Sequence, residues 1–379
     1  MIQFFQIAGV PITLEYDTAD SPFSVIAEKM ALVACPEQQS PAIRFRWGDG
    51  AAAMPKTFTR LAKVTVGDNA MSMPMHTDWK VAMIRDPETG TLTVHIAEKP
   101  LSLLKKIRFS RKKCLKYSLL YGITFQESRA KKIMYNVMEP IMLAELSRRG
   151  KTLIHASCVV DDRGRALLFP AWSGVGKTSL MSWFLSNGFR HLCDDITVLS
   201  ADGTVSYYPL PMNLFGFHKS ICPDMHARLL RSMSRSDRLR WNLFGHLVRP
   251  NRITRWVSAE TLYGRDKLAL NGKLSGVFHM QRDSDDHPLL ARNSTPEAVA
   301  RYTTNTIVNE MSELVLLTSY CNALSGNACF ADLKSMLSQI SEIARQGFAT
   351  TSVHELILGK KTTPEEVFGY LRKTLPDML

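Results

Sequence analysis

The chain has 379 residues, long enough for two domains and at least one large core. Its 45% hydrophobic and 22% charged residues are the composition of a folded protein, and no apolar run approaches the roughly 20 residues that span a bilayer. A formal net charge of +12 favours acidic or anionic partners, but no nucleic-acid motif accompanies it, so nucleic acid is not the expected partner.

Residues 1–100 read mainly as strands. Phe4 to Ala8 and Pro11 to Tyr16 alternate apolar and polar residues around Gly9. Trp79 to Arg85 and Thr91 to Glu98 flank Asp86-Pro87-Glu88-Thr89-Gly90, a hairpin signal, with Val81, Met83, Leu92, Val94 and Ile96 at period two. Nothing in this stretch has catalytic character. It predicts a strand-rich domain serving as scaffold, oligomer contact or substrate selector.

Residues 101–150 form a linking segment. Lys105, Lys106, Arg108, Arg111, Lys112, Lys113 and Lys116 alternate with leucines and other apolar residues, a solvated face or a dock for an acidic peptide. Residues 124–149 predict a helix that Pro140 bends or breaks, and Gly150 marks its stop.

The chemistry concentrates in residues 153–200. The apolar run Ala166 to Pro170 predicts a strand and Ser179 to Ser186 a helix, with Ser173-Gly174-Val175-Gly176-Lys177-Thr178 between them. Strand, glycine-containing loop and helix in that order make a phosphate cradle. The glycines turn the backbone so that N–H groups point inward, and the helix N-terminus adds partial positive charge. In such a cradle Lys177 reaches the β- and γ-phosphates of a nucleotide and the Thr178 hydroxyl ligates Mg²⁺. The position six before the lysine, Gly in the full pattern, is Ala171. A short strand over 189–199 then carries Asp194-Asp195, of which one carboxylate can hold metal while the other takes a proton from an attacking hydroxyl. His155 lies near the start of the strand Leu153 to Val160, which turns through Asp161-Asp162-Arg163-Gly164.

Downstream, residues 212–262 hold eight arginines (228, 231, 235, 238, 240, 249, 252 and 255) with little regular pattern, as in a cationic flap or a groove for an acidic acceptor. A strand is expected at 273–280, and helices at about 296–320, 329–346 and 364–374. The seven cysteines are scattered, with no disulfide framework and no paired metal-ligand spacing. The N-terminus lacks the basic start and small-residue cleavage site of an export signal, so a cytoplasmic protein is expected.

The order His155-Ala156, then Ser173 to Thr178, then Asp194-Asp195 resembles the HPr serine kinase family, whose catalytic core is shared with phosphoenolpyruvate carboxykinase. The likeness spans about residues 150–210. Ser179 stands where HPr kinases proper usually have Glu, and their downstream Gly-rich segment is absent, so the chain looks more like divergent relatives, some of which phosphorylate lasso-peptide precursors.

The resemblance implies an α/β fold: a P-loop kinase core of the HPr kinase and phosphoenolpyruvate carboxykinase type over 151–379, beside a strand-rich domain over 1–100. It implies ATP and Mg²⁺ as cofactors and a serine of a peptide or protein as acceptor, acidic partners included, with homo-oligomers expected by resemblance alone. Ser173, Gly174, Val175, Gly176, Lys177, Thr178 and Ser179 are then the nucleotide-binding set. Thr178 and Asp195 are the metal ligands, Asp194 is the general base, and His155 and Lys177 complete the catalytic set. Two other readings stay open: a small-molecule hydroxyl kinase, and a nucleotide-dependent sensor or scaffold without transfer.

Overall fold

Period-two alternation in the first hundred residues becomes a sheet, and the β-loop-α pattern near residue 170 becomes the centre of a second one. The computed structural model describes residues 1–37, 40–48, 59–61, 64–75, 79–98, 122–247, 253–310 and 333–375. Over these the protein is mixed α/β, with two eight-stranded sheets and one two-stranded sheet. It divides into two units: the described residues of 1–118, 123–149 and 310–338, and those of 119–122, 150–309 and 339–379. Among the described residues, no helix is long and apolar enough to cross a membrane.

In the first unit β1 (Ile2–Ile7) and β2 (Val10–Tyr16) form a hairpin. It turns on Ala8 and Gly9, with φ of 48° and 84°, the left-handed pair that matches the twist of a tight hairpin. The helix α1 (Pro22–Lys29) follows, its N-terminus capped by Ser21. Then come β3 (Ile43–Trp47), β4 (Thr59–Leu61), β5 (Val64–Gly67), β6 (Ala70–Met75), β7 (Trp79–Arg85) and β8 (Leu92–Glu98), in the sheet order β1-β2-β3-β8-β7-β6-β5-β4. The expected hairpin is β7–β8. Val81, Met83, Leu92, Val94 and Ile96 are buried, and Asp86 caps the turn by accepting from the Glu88 and Thr89 amides. The basic run of 101–120 lies outside the described residues.

The expected helix over 124–149 also belongs to this unit. It comprises α2 (Phe125–Ile133), opened by a Thr124/Glu127 capping box, a π-helical turn Met134–Met138, and α3 (Glu139–Ser147). Pro140 sits in the first turn of α3, where a missing N–H is tolerated, and the wide turn before it absorbs the irregularity. Gly150, at φ 69°, ends the segment.

The second unit begins with β9 (Lys151–Val160), β10 (Arg165–Pro170), α4 (Lys177–Ser186), β11 (Arg190–Cys193), β12 (Ile196–Ser200) and β13 (Thr204–Ser206). The aspartate pair therefore occupies the break between two strands rather than the middle of one. Both flanking strands pair with β9, Cys193 opposite Cys158 and Ile196 opposite His155. Residues 212–262 are more regular than their composition suggests. They form β14 (Met212–Phe215), α5 (Pro223–Ser232), α6 (Arg235–Leu247) and β15 (Thr254–Val257), with β14 and β15 paired. The chain ends with β16 (Asn271–Arg282), β17 (Leu290–Asn293), α7 (Pro296–Glu310), α8 (Leu333–Phe348), β18 (Ser352–Leu358) and α9 (Pro364–Thr374). Of the helix expected over 296–320, residues 311–320 lie outside the described residues.

The position of the site follows from strand direction. β10 runs parallel to β16, and β16 parallel to β18. Their carboxyl ends therefore share one edge, where α/β sheets present ligand crevices. Beneath that edge Phe169, Phe184 and Phe278 are fully buried. Phe169 stacks on Phe278 at 5.5 Å between ring centres, and Phe184 meets Phe169 at 5.2 Å and both Phe189 and Phe368 at 5.0 Å.

Candidate functional site

Residues 171–176 cross from the end of β10 to the start of α4. Gly174 and Gly176 have φ of 84° and 116°, values that strain any residue with a Cβ, and so aim the loop amides where alanines could not. Lys177 opens α4 with its side chain buried, its amine donating to the carbonyls of Ala171 at 2.8 Å and Trp172 at 3.2 Å. The loop thus folds around the amine, and Ala171 takes part through its backbone.

The amine also lies 3.0 Å from Nε2 of His155, and that nitrogen is 2.9 Å from Oδ1 of Asp195. His155 is buried, while Asp195 keeps 32% of its side chain exposed. Asp194 takes different neighbours: the Thr178 hydroxyl donates to its Oδ2 at 3.1 Å and the buried Ser157 hydroxyl donates to its carbonyl. Ser157 carries no motif, although it lies two residues beyond His155 and hence on the same face of β9. Burial, and then the charge of Asp195, raise the Asp194 carboxyl to about 7, against the lowering effects of Thr178, Lys177 and Ser157.

All seven loop residues from Ser173 to Ser179, with Asp194 and Asp195, line one cleft of about 840 Å³ in the second unit. That volume falls in the range of small-ligand sites. Opposite the loop the wall comes from β18 and the segment before α9, including Lys360, Lys361 and Thr362. Arg282, at the end of β16, joins the two walls. It donates to the carbonyls of Val175 at 3.1 Å, Gly359 at 2.9 Å, Lys360 at 3.0 Å and Thr362 at 3.2 Å.

The arginines expected to form a flap are placed otherwise. Arg228 and Arg231 on α5 and Arg235, Arg238 and Arg240 on α6 are exposed, Arg255 is buried in an ion pair with Asp237 at 2.7 Å, and none of them lines the cleft. Arg249 and Arg252 lie outside the described residues. Arg282 had no motif to announce it, because its role depends on carbonyls far away in sequence. Cys193, beside the aspartates, is a buried thiol that burial pushes up to about 12, and His191 is buried against Tyr263 with its pKa lowered to about 4.

Among the described residues no cluster of three or more His, Cys, Asp or Glu could hold a metal ion by itself. The two carboxylates and the Thr178 hydroxyl are a partial, all-oxygen set. That suits Mg²⁺, which completes its shell with phosphate oxygens and water.

No family model matches this chain, and no curated protein matches it. A solved structure that does match is the Hpr(Ser) kinase/phosphatase from Coxiella burnetii, at 10% sequence identity and a TM-score of 0.29, covering 60% of this chain and 98% of that one. At that level of similarity the chemistry has to rest on the residues of the site.

Proposed function

We propose that the second unit binds ATP with Mg²⁺ and transfers the γ-phosphoryl group to a hydroxyl, that of a serine in a peptide or protein. The observation that carries this reading is the convergence of the Lys177 amine, His155 and both aspartates on a glycine-shaped loop at the carboxyl ends of parallel strands. Phosphoryl transfer asks a protein mainly for positioning and for stabilisation of charge. The loop amides and Lys177 hold the β- and γ-oxygens. Thr178, whose hydroxyl keeps lone pairs after donating to Asp194, and Asp195 would hold Mg²⁺, which neutralises charge on the phosphates when bound.

Asp194 is the general base. A carboxyl near pKa 7 can accept a proton at neutral pH and has the basicity to draw it from a hydroxyl. The acceptor oxygen forms a bond to the γ-phosphorus, the bond to the bridging oxygen breaks, ADP leaves, and the hydroxyl proton passes to Asp194. His155 orients the Asp195 carboxylate and lies against Lys177.

The test is incubation of the protein with γ-labelled ATP, Mg²⁺ and extract of its own host, beside an Asp194→Asn control. A labelled peptide or protein absent from the control supports the reading. A labelled metabolite instead makes this a small-molecule kinase. ATP binding without label makes it a sensor.

A smaller effect is expected at Arg282. Arg282→Ala leaves four loop carbonyls without their donor. Water replaces much of the loss at this exposed position, so ATP affinity falls by about tenfold rather than vanishing. Calorimetric titration with ATP measures it, and Arg282→Lys is expected to recover only part, because an ammonium cannot reproduce the planar fork.

A further inference from the structure

The same cleft continues beyond the phosphate loop to a group of rings that the transfer reaction does not use. Phe215 ends β14, Phe217 follows two residues later, and His218 opens the short helix His218–Ile221. All three line the cleft. The phenyl rings of Phe215 and Phe217 lie 5.3 Å apart and within 8° of parallel, and the His218 ring is 4.4 Å from Phe217. Phe217 nevertheless remains 36% exposed, and Ile221, also on the wall, 45% exposed. Apolar surface held open on a rigid backing, in the cavity that holds a phosphate cradle, is arranged for a flat ligand.

Polarity along the loop indicates which part of a nucleotide lies there. Lys177 and Thr178 face His155 and Asp194, so that end is where the γ-phosphate reacts. The next residue, Ser179, offers its carbonyl to the Cys222 thiol at 3.8 Å, which fixes the aromatic segment against α4 just past the loop. Loop amides hold the α- and β-phosphates while the lysine takes β and γ, and it is the α-phosphate that carries the nucleoside. The Phe215 amide donates to Nδ1 of His218 at 3.0 Å, which leaves the ring proton on Nε2. Burial lowers the His218 pKa to about 4, so the ring is neutral and donates through that nitrogen.

We propose that Phe217, backed by Phe215 and His218, is the stacking platform for the nucleobase of the bound nucleotide, with His218 Nε2–H as a donor to a ring nitrogen of a purine. This rests on the nucleotide reading of the loop and adds the base subsite to it.

The experiment compares calorimetric binding of ATP and of inorganic triphosphate, each with Mg²⁺, to the wild type, Phe217→Ala, Phe217→Trp and Lys177→Ala. Phe217→Ala is expected to weaken ATP by about tenfold, within the range of base–aromatic stacking, and to leave triphosphate unchanged. Phe217→Trp restores ATP binding, and Lys177→Ala weakens both ligands. Unchanged ATP affinity in Phe217→Ala overturns the inference, as does an equal loss for ATP and triphosphate. If the wild type binds neither ligand, the nucleotide reading itself falls and takes the inference with it. Phe217 is surface-exposed, and an unchanged thermal midpoint checks that Phe217→Ala still folds.

Discussion

Asp194→Asn should make the magnesium-free protein more stable above pH 7 while removing phosphoryl transfer. The Asp194 carboxyl titrates near 7 in the folded chain against 3.8 in the reference state, so between these values the folded state holds the extra proton. Stability from this group therefore falls as pH rises through that window, and the full penalty is present above about 7. The size is about 4 kcal/mol, since one pKa unit corresponds to about 1.4 kcal/mol. An asparagine has no such proton, so the variant gains more stability at pH 8 than at pH 5. Urea unfolding in chelator at the two pH values measures the difference, and an equal effect at both would refute the assignment of a raised pKa. With Mg²⁺ and ATP present, transfer by the variant is expected to fall by about 10²–10⁴-fold, the contribution of a positioned general base. Higher stability with lost activity in one substitution is what a buried carboxylate kept for chemistry predicts.

The second large effect is expected away from the cleft. Phe184→Ala removes a ring with no exposed surface, packed against Phe169, Phe189 and Phe368. The lost burial and the remaining cavity together cost about 3–5 kcal/mol. Since α4 carries Lys177 and Thr178 at its other end, the loss also loosens the platform of the proposed phosphate site. Chemical unfolding should show the full destabilisation. ATP affinity at 37 °C should fall further than at 10 °C, because the weakened helix frays more readily when warm. Phe184→Leu keeps most of the volume and is expected to lose less than half as much.

Where neighbours in sequence determine the structure, the sequence was sufficient. The β7–β8 hairpin is set by a turn that Asp86 caps and by alternation on either side. The step from β10 through the glycine loop into α4 follows from residues within about one helical turn of each other, and so does the α9 start, where Thr363 and Glu366 cap each other's backbone. The same locality made Lys177, Thr178 and the Asp194-Asp195 pair readable as one candidate site. Other features depended on contacts between distant segments. β17 and β18 escaped notice: β18 is held by pairing with β16, and β17 at the edge by pairing with β18, both of them contacts between segments distant in sequence. The arginine count drew attention to residues 228–255, yet charge in a sequence does not say which way a side chain faces, and Arg282 proved to be the arginine lining the cleft among the described residues.

By itself, then, the sequence determined a glycine-containing loop between a strand and a helix, followed by a pair of carboxylates. Only the tertiary structure decided that Nε2 of His155 lies within reach of both Lys177 and Asp195, that Thr178 and Ser157 attend Asp194, and that Phe217 shares a cavity with Lys177, Thr178 and both aspartates. The reason is physical: backbone conformation is governed mainly by near neighbours, whereas burial, which raises the Asp194 pKa, comes from packing that brings remote strands together.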